Sequence, residues 1–193
     1  AQEMLCNEQS AYYPLLRDLL AHVDEERLLD FGMALGYQGF VRGAKTIRAA
    51  EAERDCNVPW FLTLHMDSGT YPGQKEAYRR LLGEARTLGT HGCLLLPDGK
   101  PQEIIDLAAA FPDCFFLLAC GGELVTAALA EEAESVHNLV FAPYGEQAEE
   151  ACALLREKRF LYALSIRYGA AEAEDIAGGE WYSWAENCHA PLT

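Results

Sequence analysis

From residue 38 onward, short apolar runs alternate with longer amphipathic stretches. The runs are Gly39–Arg42 (GFVR), Trp60–Leu64 (WFLTL), Gly92–Leu96 (GCLLL), Cys114–Ala119 (CFFLLA), Asn138–Ala142 (NLVFA) and Phe160–Ile166 (FLYALSI). Each is nearly continuous in hydrophobicity rather than alternating, as strands are when helices cover both of their faces. Glu180–Trp184 (EWYSW) is a weaker seventh candidate.

The intervening segments carry helical periodicity. Gln74–Leu88 places Ala77, Leu81, Leu82, Ala85 and Leu88 on one face. Pro101 opens a helix that runs to about Ala110, and Pro112 follows its end. Leu124–Glu134 and Glu146–Glu157 repeat the pattern. Ahead of the first run, Tyr13–His22 and Glu25–Leu35 read as two more helices, with Asp24 as N-cap and Gly36 as C-cap of the second.

This order predicts an α/β fold with parallel strands alternating with helices. The expected architecture is TIM-barrel-like, short of the usual eight strands, and the alternative is an open doubly wound sheet. The chain reads as a single domain over 1–193, with a helical part at 1–37, repeated βα units at 38–169 and a tail at 170–193. The alternation over Ala77–Pro97 and Ala108–Cys120 resembles that of many barrel enzymes, metal-dependent hydrolases and carboxylate-handling lyases among them. The similarity is one of pattern, with no family motif complete, and a shared fold does not assign a function.

Composition narrows the partners. The 193 residues are 50% hydrophobic and 23% charged, with a formal net charge of -15. Such a surface repels nucleic acid and anionic membranes, so neither is expected as a partner. No apolar run approaches the roughly 18 residues of a membrane span, and the start AQEMLCNEQS is too polar for a signal peptide. The seven cysteines include no C-x-x-C pair and several lie in apolar runs, the usage of reduced, buried thiols in a cytoplasmic protein.

In both architectures ligands bind beyond the carboxyl ends of the strands. The residues following the runs are therefore the candidate site. FLTLHMDSG (61–69) ends in His65 and Asp67, which project to one side if the extended geometry persists. A carboxylate beside an imidazole makes a general base or acid, so His65 is the expected catalyst and Asp67 its orienter. Arg42 and Arg167 close the first and last runs and would hold a carboxylate or phosphate. Tyr144 would help position the substrate, and Cys120 sits at a strand end before a helix start.

The function these residues point to is acid–base chemistry of isomerase or lyase type on a small anionic metabolite, with no cofactor. One alternative is a non-catalytic ligand-binding or assembly domain, with association into a homo-oligomer. Another is a metal-dependent hydrolase using His65, Asp67 and either His189 or Glu123. No strand end carries a lysine for Schiff-base chemistry, and no Gly-x-Gly-x-x-Gly, Gly-x-Ser-x-Gly or Walker sequence is present. The aromatic tail Trp181–His189 reads first as a cap on the core or a subunit contact, and otherwise as a lid or the wall of an apolar pocket.

Overall fold

The computed structural model describes residues 12–192 together with Asn7 and Ser10. Cys6 and most of the polar start of the chain lie outside the described residues. The fold is α/β. Its centre is a parallel sheet of β1 (Phe61–Met66), β2 (Gly92–Pro97), β3 (Phe115–Gly121) and β4 (Leu139–Tyr144), in the order β1-β2-β3-β4. Phe160–Ile166, expected as a strand, runs parallel to β4 as an irregular fifth member. Its Ala163 and Ser165 N–H groups donate to the carbonyls of Phe141 and Pro143, at 2.8 and 3.0 Å.

The connections are α5 (Tyr71–Thr87), α6 (Gln102–Ala109), α7 (Ala127–Glu132) and α8 (Ala148–Glu157). All four pack on one sheet face with Leu62, Leu64, Cys93, Leu95, Phe116, Leu118, Cys120, Leu139 and Phe141. The register fixes this alternation, because Cys93 lies opposite both Leu62 and Phe116, and Phe116 lies opposite Leu139. Phe116 and Phe141 are fully buried there, each contributing roughly 1.5–3 kcal/mol.

The other face is covered over its amino half by helices preceding the sheet, α1 (Tyr12–His22), α2 (Glu25–Gly32) and α3 (Met33–Gly43), while α4 (Ala44–Arg54) packs on the turn at Gly89. Asp24 caps α2 as expected, its carboxylate accepting from the Arg27 N–H at 3.1 Å. The helix does not stop at Gly36. Gly32, Met33, Gly43 and Ala44 all keep right-handed helical dihedrals, so α2, α3 and α4 form one continuous helix. Over α3 it widens to π winding.

The widening has a visible purpose. The buried positions along this helix are Arg27, Phe31, Ala34, Gly39, Gly43, Ile47 and Ala50. Their spacing is three or four residues except for the step of five from Ala34 to Gly39, which π winding accommodates. Gly39 then meets the Phe115 ring, and Gly43 meets Gly89 and His91 so closely that no side chain fits between. Gly89 itself has φ +100°.

Three sequence expectations are corrected here. GFVR is helical, part of α3, because a four-residue apolar run fits a buried helix turn as well as a strand. Glu180–Trp184 belongs to helix α10 (Glu180–Asn187), with Trp181 and Trp184 three apart on one side. The Gly36 cap is absent because the helix runs on. The described residues form four strands, without the order reversal of a doubly wound sheet and without closing into a barrel.

Two polar anchors join the layers. Arg27 is buried against the Phe160 ring, 3.8 Å from its centroid, and donates to the carbonyls of Val136 (3.0 Å) and Glu134 (2.6 Å). Asn138 is buried just before β4, and its amide nitrogen faces the carbonyls of Ala108, Phe111 and Cys114 at 3.1, 2.9 and 2.8 Å.

A third anchor is more exposed. Arg156 of α8 clasps Asp18 of α1 through two hydrogen bonds, of 2.9 and 2.6 Å. The bond from Arg156 holds the Asp18 carboxyl below its ordinary range. Its stabilising contribution is therefore present above the unfolded carboxylate pKa of roughly 3.9 and is lost as pH falls through the lower folded value. Asp18→Asn is expected to cost only about 0.5–1 kcal/mol at neutral pH, since solvent screens the pair. It should also flatten the loss of stability below about pH 4, read from urea unfolding at a series of pH values.

Candidate functional site

β1 ends at Met66, and the chain then turns to start α5. Asp67 is occupied by that turn: its Oδ1 accepts from the N–H groups of Gly69 and Thr70, at 3.0 and 2.9 Å. It is a local cap in the usual Asx manner and makes no hydrogen bond to His65. His65 is exposed, its imidazole makes no hydrogen bond among the described residues, and its carbonyl accepts from the Tyr78 hydroxyl at 3.0 Å. Asp98 accepts from the Ser68 N–H at 2.6 Å and ties the next loop to this one.

The two arginines lie at opposite ends of the sheet. Arg42 is on α3 beside Gly43, which packs on Gly89 and His91 ahead of β2, at the amino ends of the strands. Its side chain reaches Gln38 at 3.5 Å. Cys120 faces the core beneath α5–α8 and is fully buried. Desolvation, with the nearby Glu123 adding to it, pushes its thiol up to about 12, the condition of an inert packing group. Cys93, Cys114 and Cys152 are alike, each raised to about 12 by burial.

Tyr144 and Arg167, by contrast, come together. Tyr144 ends β4, Arg167 follows the fifth extended segment, and the guanidinium lies 4.0 Å over the Tyr144 ring. They share a cavity of about 570 Å³ at the carboxyl end of the sheet, whose wall also includes Glu146, Asp175, Trp181 and Trp184. This volume suits a small organic ligand.

The wall is built by the tail. After Arg167 the chain forms α9 (Ala173–Gly178), turns at Gly179 and enters α10. The Tyr162 hydroxyl fixes the end of α10, its one proton shared between the carbonyls of Cys188 and His189 at 3.0 and 2.9 Å. Trp184 Nε1 donates to Glu149 of α8 at 2.7 Å, and the Trp181 ring meets Trp184 edge-on at 5.4 Å. Trp181 Nε1 is buried without a hydrogen-bond acceptor among the described residues. A ligand oxygen is the kind of group that satisfies such a donor.

Arg167 makes no ion pair among the described residues, although Glu146, Asp175 and Glu180 line the same cavity. The cations of a second cavity, around His22, Arg156 and Arg159, are engaged already. Arg156 holds Asp18, and Arg159 donates to the carbonyls of Ala21 and Val23 at 2.9 and 3.0 Å.

His65 and Tyr144 project from the same sheet face but stand on β1 and β4, three interstrand spacings or roughly 14 Å apart. Among the described residues no three of His, Cys, Asp and Glu converge as metal ligands, so His65, Asp67, Glu123 and His189 do not form a group. No helix among them is long and apolar enough to cross a membrane.

The chain matches no family model, and neither a curated protein nor a solved structure matches it.

Proposed function

We propose that the chain is a small-molecule-binding domain whose site is the cavity between Tyr144, Arg167, Trp181 and Trp184. The observation that carries this reading is an arginine held over a tyrosine ring, without an acidic partner, at the mouth of a tryptophan-walled cavity. The ligand has a carboxylate or phosphate for Arg167 and a flat apolar body for the indoles. Glu146, Asp175 and Glu180 add sites for an amino group, so a zwitterion of the aromatic amino acid type suits the wall better than a simple dianion.

The location supports the reading too. Strands in sequential order with every connecting helix on one face form the arrangement of a barrel segment, and barrels bind ligands at the carboxyl ends of their strands. Catalysis by His65 on a ligand held by Arg167 is out of hydrogen-bond reach across roughly 14 Å, which favours binding over acid–base turnover.

Tryptophan fluorescence tests the proposal, with aromatic amino acids, aryl carboxylates and inorganic phosphate as titrants. An aromatic carboxylate is expected to give a saturable change that Arg167→Ala weakens at least about tenfold. Trp181→Ala should weaken it as well. No saturable change with any titrant, or affinity untouched by Arg167→Ala, would sink the proposal.

A further inference from the structure

The exposed side of the long helix carries a stripe of large apolar residues that runs toward the amino edge of the sheet. Leu29, Met33, Tyr37, Phe40 and Val41 are 66, 51, 50, 56 and 61% exposed. Trp60, 50% exposed, extends the stripe by packing on Phe40 with 5.4 Å between ring centroids. Six large apolar side chains at half exposure or more on one surface mark an interaction site rather than ordinary surface scatter. Gly32 and Gly36 lie on the same side, and a Cβ built on either would meet nothing within 4 Å. A partner helix can therefore approach the backbone there.

The occupant follows from the charges. Residues 31–41 carry none, in a chain of net charge -15. On the amino side of this neutral stretch stand Glu25, Glu26 and Asp30, and on its carboxyl side Arg42, Lys45 and Arg48. Asp30 is paired with His137 at 2.9 Å, whereas Glu25, Glu26, Lys45 and Arg48 form no ion pair among the described residues.

A neutral stretch flanked by exposed acids on one side and bases on the other is complementary to itself when reversed, with buried Arg27 and the more distant Glu51 and Glu53 outside that pattern. We infer that a second copy of this chain packs antiparallel on the stripe, about a two-fold axis near Gly36. Met33 then faces the partner's Phe40, and Glu26 lies beside the partner's Lys45. Such an isologous contact satisfies both copies at once, and its neutral centre is where two acidic chains approach without repulsion. The surface is separate from the ligand cavity, so neither proposal depends on the other.

Sedimentation velocity over a range of protein concentrations tests the contact, with circular dichroism to verify folding. A species of twice the chain's mass is expected. Phe40→Glu should weaken association at least about tenfold at unchanged helicity. Lys45→Glu should weaken it less, and combining it with Glu26→Arg, which reverses both ends, should restore the dimer. The inference is overturned by a chain that stays monomeric throughout, including one whose stripe is covered by a different polypeptide. A dimer indifferent to Phe40→Glu, or a double reversal that restores nothing, overturns it equally.

Discussion

Replacing Asn138 with leucine is expected to lower the free energy of unfolding by about 3 kcal/mol. The side chains are close in volume, so little of the loss comes from a cavity. It comes mainly from the carbonyl of Cys114, because those of Ala108 and Phe111 keep the backbone N–H groups of Phe111 and Cys114 when the Asn138 amide is lost. These carbonyls mark the end of α6 and the turn into β3. A buried acceptor left without a donor costs the full desolvation of that group. The urea midpoint should fall with the slope unchanged. A loss under about 1 kcal/mol would mean that the segment re-forms its bonds without Asn138.

Arg27→Ala should be comparably damaging, at about 3 kcal/mol, while Arg27→Met should cost only about 1. The difference separates the two roles of the side chain. Alanine removes the stem and the plane lying on Phe160, leaving a void, along with the bonds to Val136 and Glu134. Methionine refills most of that volume. It also relieves the burial of a charge, which already pushes the guanidinium down to about 10 despite Asp24 and Glu134 nearby. Equal losses for the two variants would show that the hydrogen bonds, and not the packing, hold α2 to the sheet. Urea unfolding of both variants decides it.

The strands were legible where both faces are covered. β2 to β4 each fall on a run without an internal polar position, because burial from above and below leaves none there, while β1 shows its apolar run despite the exposed Thr63 and His65. GFVR misled because four apolar residues carry no period of their own. What betrays its helical state is the stripe from Arg27 to Ala50, and that stripe changes its step in the middle, where a fixed period of 3.6 loses it.

At the site, the strand-end rule named Tyr144 and Arg167 separately and expected Arg167 to work with Arg42, whereas the structure sets Arg167 over Tyr144 and leaves Arg42 at the other end of the sheet. It placed Asp67 beside His65 by extending β1 one residue too far. Asp-Ser-Gly-Thr ahead of a helix is itself an Asx-turn sequence, and reading it so would have assigned the Asp67 carboxylate to the turn. Strand parity could have placed Cys120 with Phe116 and Leu118 on the core side. The acids Glu146, Asp175 and Glu180 come from separate segments, and nothing local in the chain announces that they share a wall with Trp181.

The π winding of α3 has a consequence for how this chain tolerates changes in length. An ordinary helix transmits an added residue as a rotation of about 100° to everything beyond it, turning a buried stripe toward solvent. Here the surplus residue is absorbed between Ala34 and Gly39, and the positions on either side keep their orientation toward the sheet. The two ends of the helix are thus phased independently against one rigid surface. Α2 answers to Phe160 and the loop before β4, and α4 to the turn at Gly89. The slack between them lies where the backbone is already wide, so a length change in α3 is felt locally, while the same change in α2 or α4 would turn a whole arm away from the core.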